Sequence, residues 1–440
     1  MTLSSILYKR VDNSPLIIFR IFFGFLIAAE AWGAIATGWI KRTLIDPEFT
    51  FNFIGFDFLQ PLPGDWMYVY YGVMGLSGVF VMIGYKYRLN IILYTIMWTA
   101  VYLMQKTSYN NHYYLLILLL IFMAIVPANR YKSVDVRLNP KLRSIDMPYW
   151  VIIFIIGQLW IVYTYASLAK VYPDWLDATV SRILMSSKAH FYIIGDFLQQ
   201  TWVHYSIAYF GILFDLLIVP LLLWKKTRNF AFFGSIFFHL FNSAVFHIGI
   251  FPFMSLAFTV FFYPTKTIRN LFLKSKPYYH KDEIRLPTYH KALTGFIILW
   301  LFVQFALPLR HWFIKGDVLW TEEAHRMSWR MMLRTKQSRT SIQVVNKTTQ
   351  DKFYVNKNDY LTRKQQRMLA KPDGIWQFCQ RLKQEYAEKG EIIEIYVNAQ
   401  VAVNGGEFRP LIDKDYNMAE AEWDYFFHND WVLLHQEDRY

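Results

Sequence analysis

Cysteine is almost missing from this chain of 440 residues: Cys379 stands alone. One thiol excludes a disulfide within the chain and any cysteine-based metal site. Charge is scarce as well, 18% of residues against about a quarter in soluble domains. No GxGxxG, P-loop, HExxH or GxSxG occurs. The usual signatures of dinucleotide, nucleoside-triphosphate, zinc-protease and serine-hydrolase sites are therefore absent. There is no internal repeat and no low-complexity segment. Intrinsic disorder is excluded by the low charge, and a purely soluble enzyme is disfavoured.

What is abundant is apolar. Hydrophobic residues make up 55% and aromatics 19%, with 16 Trp, 30 Tyr and 38 Phe. Nine segments have the roughly 20 mostly apolar residues that a membrane crossing needs. They lie near 15–39, 66–85, 89–105, 110–129, 148–169, 203–224, 229–246, 247–264 and 292–308. The stretch from Met147 to Ala169 holds no charge. Residues 229–264 hold none besides His239 and His247, and Gly249 and Pro252 mark a turn that splits them in two. Lys9 and Arg10 precede an apolar run too long for a signal peptide and without a clear cleavage site. This predicts an uncleaved first helix.

The net charge of +13 raises nucleic acid as a partner, but its placement argues against one. Residues 309–440 hold 20 Lys and Arg against 19 Asp and Glu, so the excess sits in the first 308 residues. There it falls in short loops. With the N-terminus inside, the cytoplasmic loops hold 19 basic residues and the opposite loops 6. This bias predicts a cytoplasmic N-terminus and an extracytosolic C-terminus, periplasmic or lumenal. The expected architecture is an α-helical polytopic membrane domain over 1–308 and an extracytosolic α+β domain over 309–440. In the tail, 341–346, 353–355 and 392–403 read as strands, and 361–371 and 374–389 as helices. Asn404-Gly405-Gly406 reads as a hairpin turn. Asn346-Lys347-Thr348 fits a glycosylation sequon, relevant only in a eukaryotic secretory setting.

Polar side chains inside a membrane are costly and so become functional candidates. Lys170 closes the charge-free helix at its outer end, in Tyr163-Thr-Tyr-Ala-Ser-Leu-Ala-Lys170, with Asp174-Trp175 behind it. A snorkelling interface lysine would look the same. His112 opens the fourth segment in Asn110-Asn111-His112-Tyr113-Tyr114, where a helix cap beside a wet histidine is the plainer explanation. His239 and Asn242 share one helix face and could simply bond to each other. Glu30 and Asp215 are mid-membrane acids, protonated or paired. After the last helix, Arg310, His311, Trp320, His325, Ser328, Trp329 and Arg330 crowd the outer surface, where an aromatic belt with snorkelling arginines is the ordinary explanation.

Four blocks, in this order on this topology, give a resemblance. They are Arg20-Ile-Phe-Phe-Gly24, Asn110-Asn-His-Tyr-Tyr-Leu115, Tyr163-x-Tyr-Ala-x-x-x-Lys170-x-x-x-Asp174-Trp175, and Leu307-Pro-Leu-Arg-His311-Trp through Trp329-Arg-Met-Met332. Together they resemble the vitamin K-dependent γ-glutamyl carboxylase family and its bacterial homologues, whose membrane part is the horizontally transferred transmembrane (HTTM) domain. The resemblance spans most of 10–345 and more loosely 391–434. It implies a catalytic lysine at Lys170 and a functional histidine at His112. It further implies substrate or quinone contacts from Asn111, His239, Asn242, Arg310, His311, Trp320, His325, Ser328, Trp329 and Arg330. The chain departs from the family at His325, where a tyrosine is usual, and at Ser167, where glycine is. The tail is much shorter than in the animal enzymes, so propeptide recognition is not implied.

The chemistry implied is carboxylation of protein glutamate. The γ-C–H is too weak an acid for any side chain, so the family draws a strong base from epoxidation of a reduced naphthoquinone by O2, and CO2 then adds. The co-substrates implied are vitamin K hydroquinone or another naphthoquinol, O2 and CO2, with no metal. A lysine that starts this must be neutral, which an apolar surrounding favours. Excluding water also protects reactive intermediates. The partners implied are a peptide glutamate, the bilayer and a membrane quinone, in a bacterial inner membrane. Two other readings stay open: a relative that binds or oxidises quinone without carboxylating, and a non-catalytic scaffold or transporter. A transporter would show inverted repeats.

Overall fold

The computed structural model describes residues 2–246, 248–331 and 333–435. His247, at the start of one expected span, and Met332, at the end of the fourth sequence block, lie outside them. Within lipid a backbone must satisfy its own hydrogen bonds, so apolar runs become helices. Each of the nine expected segments contains one. They are α1 (Ser14–Ala36), α2 (Trp66–Ile83), α3 (Tyr87–Met104), α4 (Asn111–Ile125), α5 (Trp150–Leu168), α6 (Thr201–Leu223), α7 (Arg228–Phe246), α8 (Phe251–Ala257, prolonged by a 3₁₀ turn, Phe258–Phe261) and α9 (His290–Ala306). By length and composition six are fit to cross a membrane: α1, α2, α5, α6, α7 and α9. The count of nine is not reached on that measure. α4 stops just ahead of Pro127, α8 is a short return arm, and α3 is less apolar.

The first block is architectural. Arg20 is fully buried in α1 and donates to three carbonyls beyond α4, those of Ala128 (3.1 Å), Tyr131 (3.3 Å) and Lys132 (2.6 Å). Gly24 lets α1 lie on α2, since a Cβ there would meet the backbone nitrogen of Met82 at 2.3 Å. Gly78 makes the reciprocal approach, its Cβ position 2.8 Å from the nitrogen of Ala28. Small residues drive such close helix packing in lipid. Gly24→Val is expected to destabilise the bundle by about 1–3 kcal/mol, read as a lower melting temperature in detergent. An unchanged melting curve would refute the close crossing.

The C-terminal part is α+β, with its own core. The sheet order is β4-β3-β5-β6, all antiparallel, after a two-stranded ribbon of β1 (Arg10–Asp12) and β2 (Asp146–Pro148) at the start of the membrane domain. Here β3 is Lys336–Asn346, β4 Lys352–Tyr354, β5 Ile393–Val403 and β6 Arg409–Pro410. Ile342 and Val344 of β3 and Ile395, Val397 and Val401 of β5 alternate inward onto α10 (Pro372–Glu388), whose Ile375, Phe378, Cys379 and Leu382 are fully buried. Burial pushes the Cys379 thiol up, so it is an inert core residue. The segment expected as a helix over 361–371 is a short turn of α-helix (Arg363–Gln366) followed by 3₁₀ (Arg367–Ala370). Asn346 of the sequon is 9% exposed and its amide donates to Glu391 at 2.9 Å, which leaves it poorly placed for glycosylation.

Inside the tail, Glu323 accepts from His428 Nδ1 (2.8 Å), the Asn429 amide N–H (2.9 Å) and Asn429 Nδ2 (2.8 Å). The bond to Glu323 raises His428 above its ordinary value of 6.5. A raised histidine contributes stability in full below the unfolded value and loses it as pH climbs through the folded one. His428→Ala is therefore expected to cost about 1.5–3 kcal/mol at mildly acidic pH and little at alkaline pH, seen in melting curves across the range. A cost independent of pH would refute the charged pair.

The tail sits on the loop ends of the membrane helices. Lys364 Nζ donates to Ser108 Oγ at 2.7 Å, and Gln377 Nε2 to the Asn52 carbonyl at 3.0 Å. Between the two parts Asp373, 3% exposed, pairs with Lys106 and, at 2.8 Å, with Arg326. Burial alone would raise the Asp373 carboxyl, but Arg326 and Lys106 outweigh it and hold it well below the usual range. Burial brings Lys106 down to about 8 despite Asp373.

Candidate functional site

At the end of α5 the chain turns and Lys170 folds back rather than snorkelling. Its Nζ donates to the Ala166 carbonyl at 2.9 Å and to Asp215 Oδ2 of α6 at 2.5 Å. The two side chains are only 10% and 8% exposed. Trp175 covers the amine, 5.7 Å from ring centre to Nζ, and its indole N–H is tied to the Ala208 carbonyl at 3.0 Å. Ser167 donates to the Ile212 carbonyl at 3.0 Å and clamps α5 to α6. Asp174 accepts from Asn404 Nδ2 at 2.8 Å, which ties the turn after Lys170 to the tail.

This pair faces a cavity of about 110 Å³. Lys170, Asp215, His112, His239 and Asn242 all line it, together with Ser181, Tyr163, Trp175 and an apolar wall that includes Val162, Phe238, Phe246 and Phe251. The structure thus brings together five candidates from four separate segments: α4, the end of α5, α6 and α7. His239 shares a hydrogen bond of 3.2 Å with the Tyr163 hydroxyl, and not with Asn242. His112 stacks on Phe251, ring centroids 3.8 Å apart. The turn between α7 and α8, where Gly249 has φ +63°, inserts Ile248 into the wall. Ser181 Oγ is buried with no hydrogen-bond partner.

His112 and Ile248 also line a second, larger cavity of about 580 Å³. Its acid is Glu30, whose Oε1 accepts from the Tyr113 hydroxyl at 2.7 Å. Trp39, Trp98, Tyr102, Tyr109, Gln105 and Asn110 complete a wall that is more polar and reaches the loop ends beneath the tail. His112 and Ile248 stand between the two chambers.

The rim residues are mostly spoken for. Asn111 Nδ2 donates to the Arg330 carbonyl at 2.9 Å, which joins the second block to the fourth. Trp329 stacks on Tyr114, centroids 5.0 Å apart. Arg310 donates to the carbonyls of Ala324 (3.4 Å) and Arg326. His311 Nδ1 lies 2.7 Å from the Pro308 carbonyl, and its Nε2 lies 3.4 Å from Arg330 Nη1. Ser328 Oγ donates to the Ala324 carbonyl at 2.7 Å. Trp320 is built into the tail's core, its indole N–H on the Leu433 carbonyl at 2.8 Å, away from the cavity lining. His325 is buried and its Nδ1 has no hydrogen-bond partner. Burial, with Arg334 beside it, pushes it well below its ordinary range, so it is neutral. Arg330 Nε is likewise buried without a partner. Glu322, Ala324, Met327 and Trp329 all have positive φ, between +55° and +62°. Four such residues in eight are costly for non-glycine residues and persist only where surroundings impose them.

Sequence reasoning under-rated Asp215, which stood as an isolated acid 45 positions from the lysine it pairs with. Its signal was there: one carboxylate in an otherwise apolar helix needs a partner. Among the described residues no group of three or more His, Cys, Asp or Glu could hold a metal ion.

Residues 8–266 match the HTTM domain family. Residues 289–438 match the family described as vitamin K-dependent gamma-carboxylase, lumenal domain. No solved structure matches the chain.

Proposed function

Since this chain belongs to the γ-carboxylase-like family that joins an HTTM domain to a carboxylase lumenal domain, we propose that it is an integral-membrane γ-glutamyl carboxylase coupled to quinol epoxidation. The observation that carries the reading is the buried Lys170–Asp215 pair facing an apolar cavity shared with His112, His239 and Asn242.

The cavity suits a reduced naphthoquinone. Its walls are largely apolar and aromatic, and its polar groups are few: the Lys170 amine with the Asp215 carboxyl, two imidazoles, one amide, the Tyr163 hydroxyl and the unpartnered Ser181 hydroxyl. Bound there, the quinol with O2 supplies the strong base that the glutamate γ-C–H requires. Lys170 Nζ takes the hydroxyl proton of the quinol. To do so it must first be neutral, and Asp215 Oδ2, 2.5 Å away, is the acceptor for its proton. His112 and Asn242 orient the ring. His239 is held by Tyr163 for the same task.

The peptide glutamate comes from the tail side, through the larger cavity that shares His112. The unpartnered Nε of Arg330, with His311 beside it, is the cationic group best placed for its carboxylate. Trp320 and Ser328 hold the fold of this rim, and His325 is a neutral neighbour of it. The loop charge favours an N-terminus inside and a tail outside, which needs an odd number of crossings and so at least one beyond the six helices that are long and apolar enough.

Hydrogen exchange at the γ-carbon tests the reading before carboxylation itself. Purified protein in tritiated water, given a glutamate peptide, reduced naphthoquinone and O2, is expected to label the peptide only when all three are present. Epoxide formed without any γ-exchange would leave a quinone-oxidising relative that is no carboxylase.

A further inference from the structure

The end of the bundle away from the tail carries a cavity of its own, of about 520 Å³. It is enclosed by the β1–β2 ribbon, the end of α4 and the approach to α9. Five cations line it: Arg10, Arg130, Lys141, Arg143 and Arg285. Among its described lining residues Asp146 is the one carboxylate, and it is a buttress rather than a ligand. With its side chain 6% exposed, it holds Arg10 Nε at 2.6 Å and Arg285 Nη1 at 3.3 Å. Arg285 also meets Glu283 at 2.6 Å. Arg130 spends one N–H on the Leu142 carbonyl at 3.3 Å. Lys141 and Arg143 are exposed and make no ion pair among the described residues. The opposite wall is apolar. Ile125 and Trp150 belong to it, and Leu286 and Tyr289 stand 51% and 64% exposed at its edge.

We propose that this cavity binds an anionic diacyl phospholipid. The phosphate sits among the arginines and Lys141, and the acyl chains run along Ile125, Trp150 and Leu286. Topology alone asks for basic loops at this end. It does not ask that five cations converge on one cavity, that two of them be fixed on a buried carboxylate, or that the facing wall be apolar. Basic cavities between membrane helices at the charged end of a bundle recognise anionic lipid headgroups. A free phosphate would use the cations but leave the apolar wall unused.

The test uses the full chain in detergent, with lipid retention read by native mass spectrometry. Phosphatidylglycerol and phosphatidylcholine of matched chains are offered together. Wild type is expected to keep phosphatidylglycerol in preference, and Lys141→Glu/Arg143→Glu to cut that preference by about tenfold or more. Lys225→Glu/Lys266→Glu, which changes as many charges outside the cavity, is expected to leave it intact. Melting curves confirm that both variants are folded. No preference in wild type, or a preference that both double variants lose equally, overturns the proposal. So does displacement of the lipid by inorganic phosphate at matched concentration, which would mark a free-anion site.

Discussion

Lys170→Met is expected to abolish quinol epoxidation and carboxylation together, a loss of about 10²–10⁴-fold from proton transfer alone. Asp215→Asn is expected to approach the same loss, because an amide cannot take the proton that Lys170 must shed. Either single change also leaves one buried charge without its partner, which costs about 3–5 kcal/mol. Inactivity in a single variant would therefore be ambiguous. The double variant Lys170→Met/Asp215→Leu removes both charges and keeps the volume, so it is expected to recover the melting temperature while staying inactive. Epoxide assay and melting curve on the same preparations separate the two effects. A stable and active double variant would remove Lys170 from the chemistry. If Asp215→Asn were fully active and stable, the proton would not pass to the carboxylate.

Asp373→Ala is expected to be the most damaging change outside the membrane helices. It would leave Lys106, 1% exposed, and Arg326 side by side in a dry interface. An uncompensated buried charge costs about 3–5 kcal/mol, and here two like charges face each other. The tail should then loosen from the loops, so that limited proteolysis cuts near residues 309–335 far faster than in wild type. The pH dependence follows from the same pair. A depressed carboxylate contributes stability above its unfolded value and loses it as pH falls through the folded one. Because Asp373 is held well below the usual range, wild-type docking should survive mild acid, and the deficit of Asp373→Ala should persist there. Equal proteolysis of wild type and variant would show that the cluster does not hold the tail.

Much of this was readable from the chain. Length and apolarity marked every membrane helix, because lipid permits few alternatives, and Gly249 and Pro252 marked the α7–α8 turn. The step from helix to full crossing is less legible: α4 ends just ahead of Pro127, and α8 is only seven residues before it tightens into a 3₁₀ turn. Within the site, Lys170, His112, His239 and Asn242 stood out because polar groups in apolar helices are rare. Asp215 stood out equally, but nothing in the chain says which acid meets which base when the contact joins two helices across 45 residues. Local spacing also suggested that His239 and Asn242 bond to each other, whereas Tyr163 takes the histidine. Arg310 was expected only as a substrate or quinone contact, on the resemblance. In the fold its Nη2 donates to two carbonyls of a loop with four left-handed residues, a local geometry with no glycine to announce it. Trp320 resembled its neighbours in composition and yet belongs to the other core.

The role proposed for the Lys170–Asp215 cavity is to drive carboxylation of glutamate. Its most direct measurement is incorporation of labelled CO2 into a glutamate-containing peptide by the purified full chain, with reduced naphthoquinone and O2, beside the Lys170→Met/Asp215→Leu variant. Non-volatile label in a new γ-carboxyl group is expected in the wild type, dependent on both quinol and O2 and partly released by heating in acid, and none in the folded variant. Label that persists in the variant, or a wild type that forms neither γ-carboxyglutamate nor epoxide while folded and supplied with all co-substrates, would contradict it.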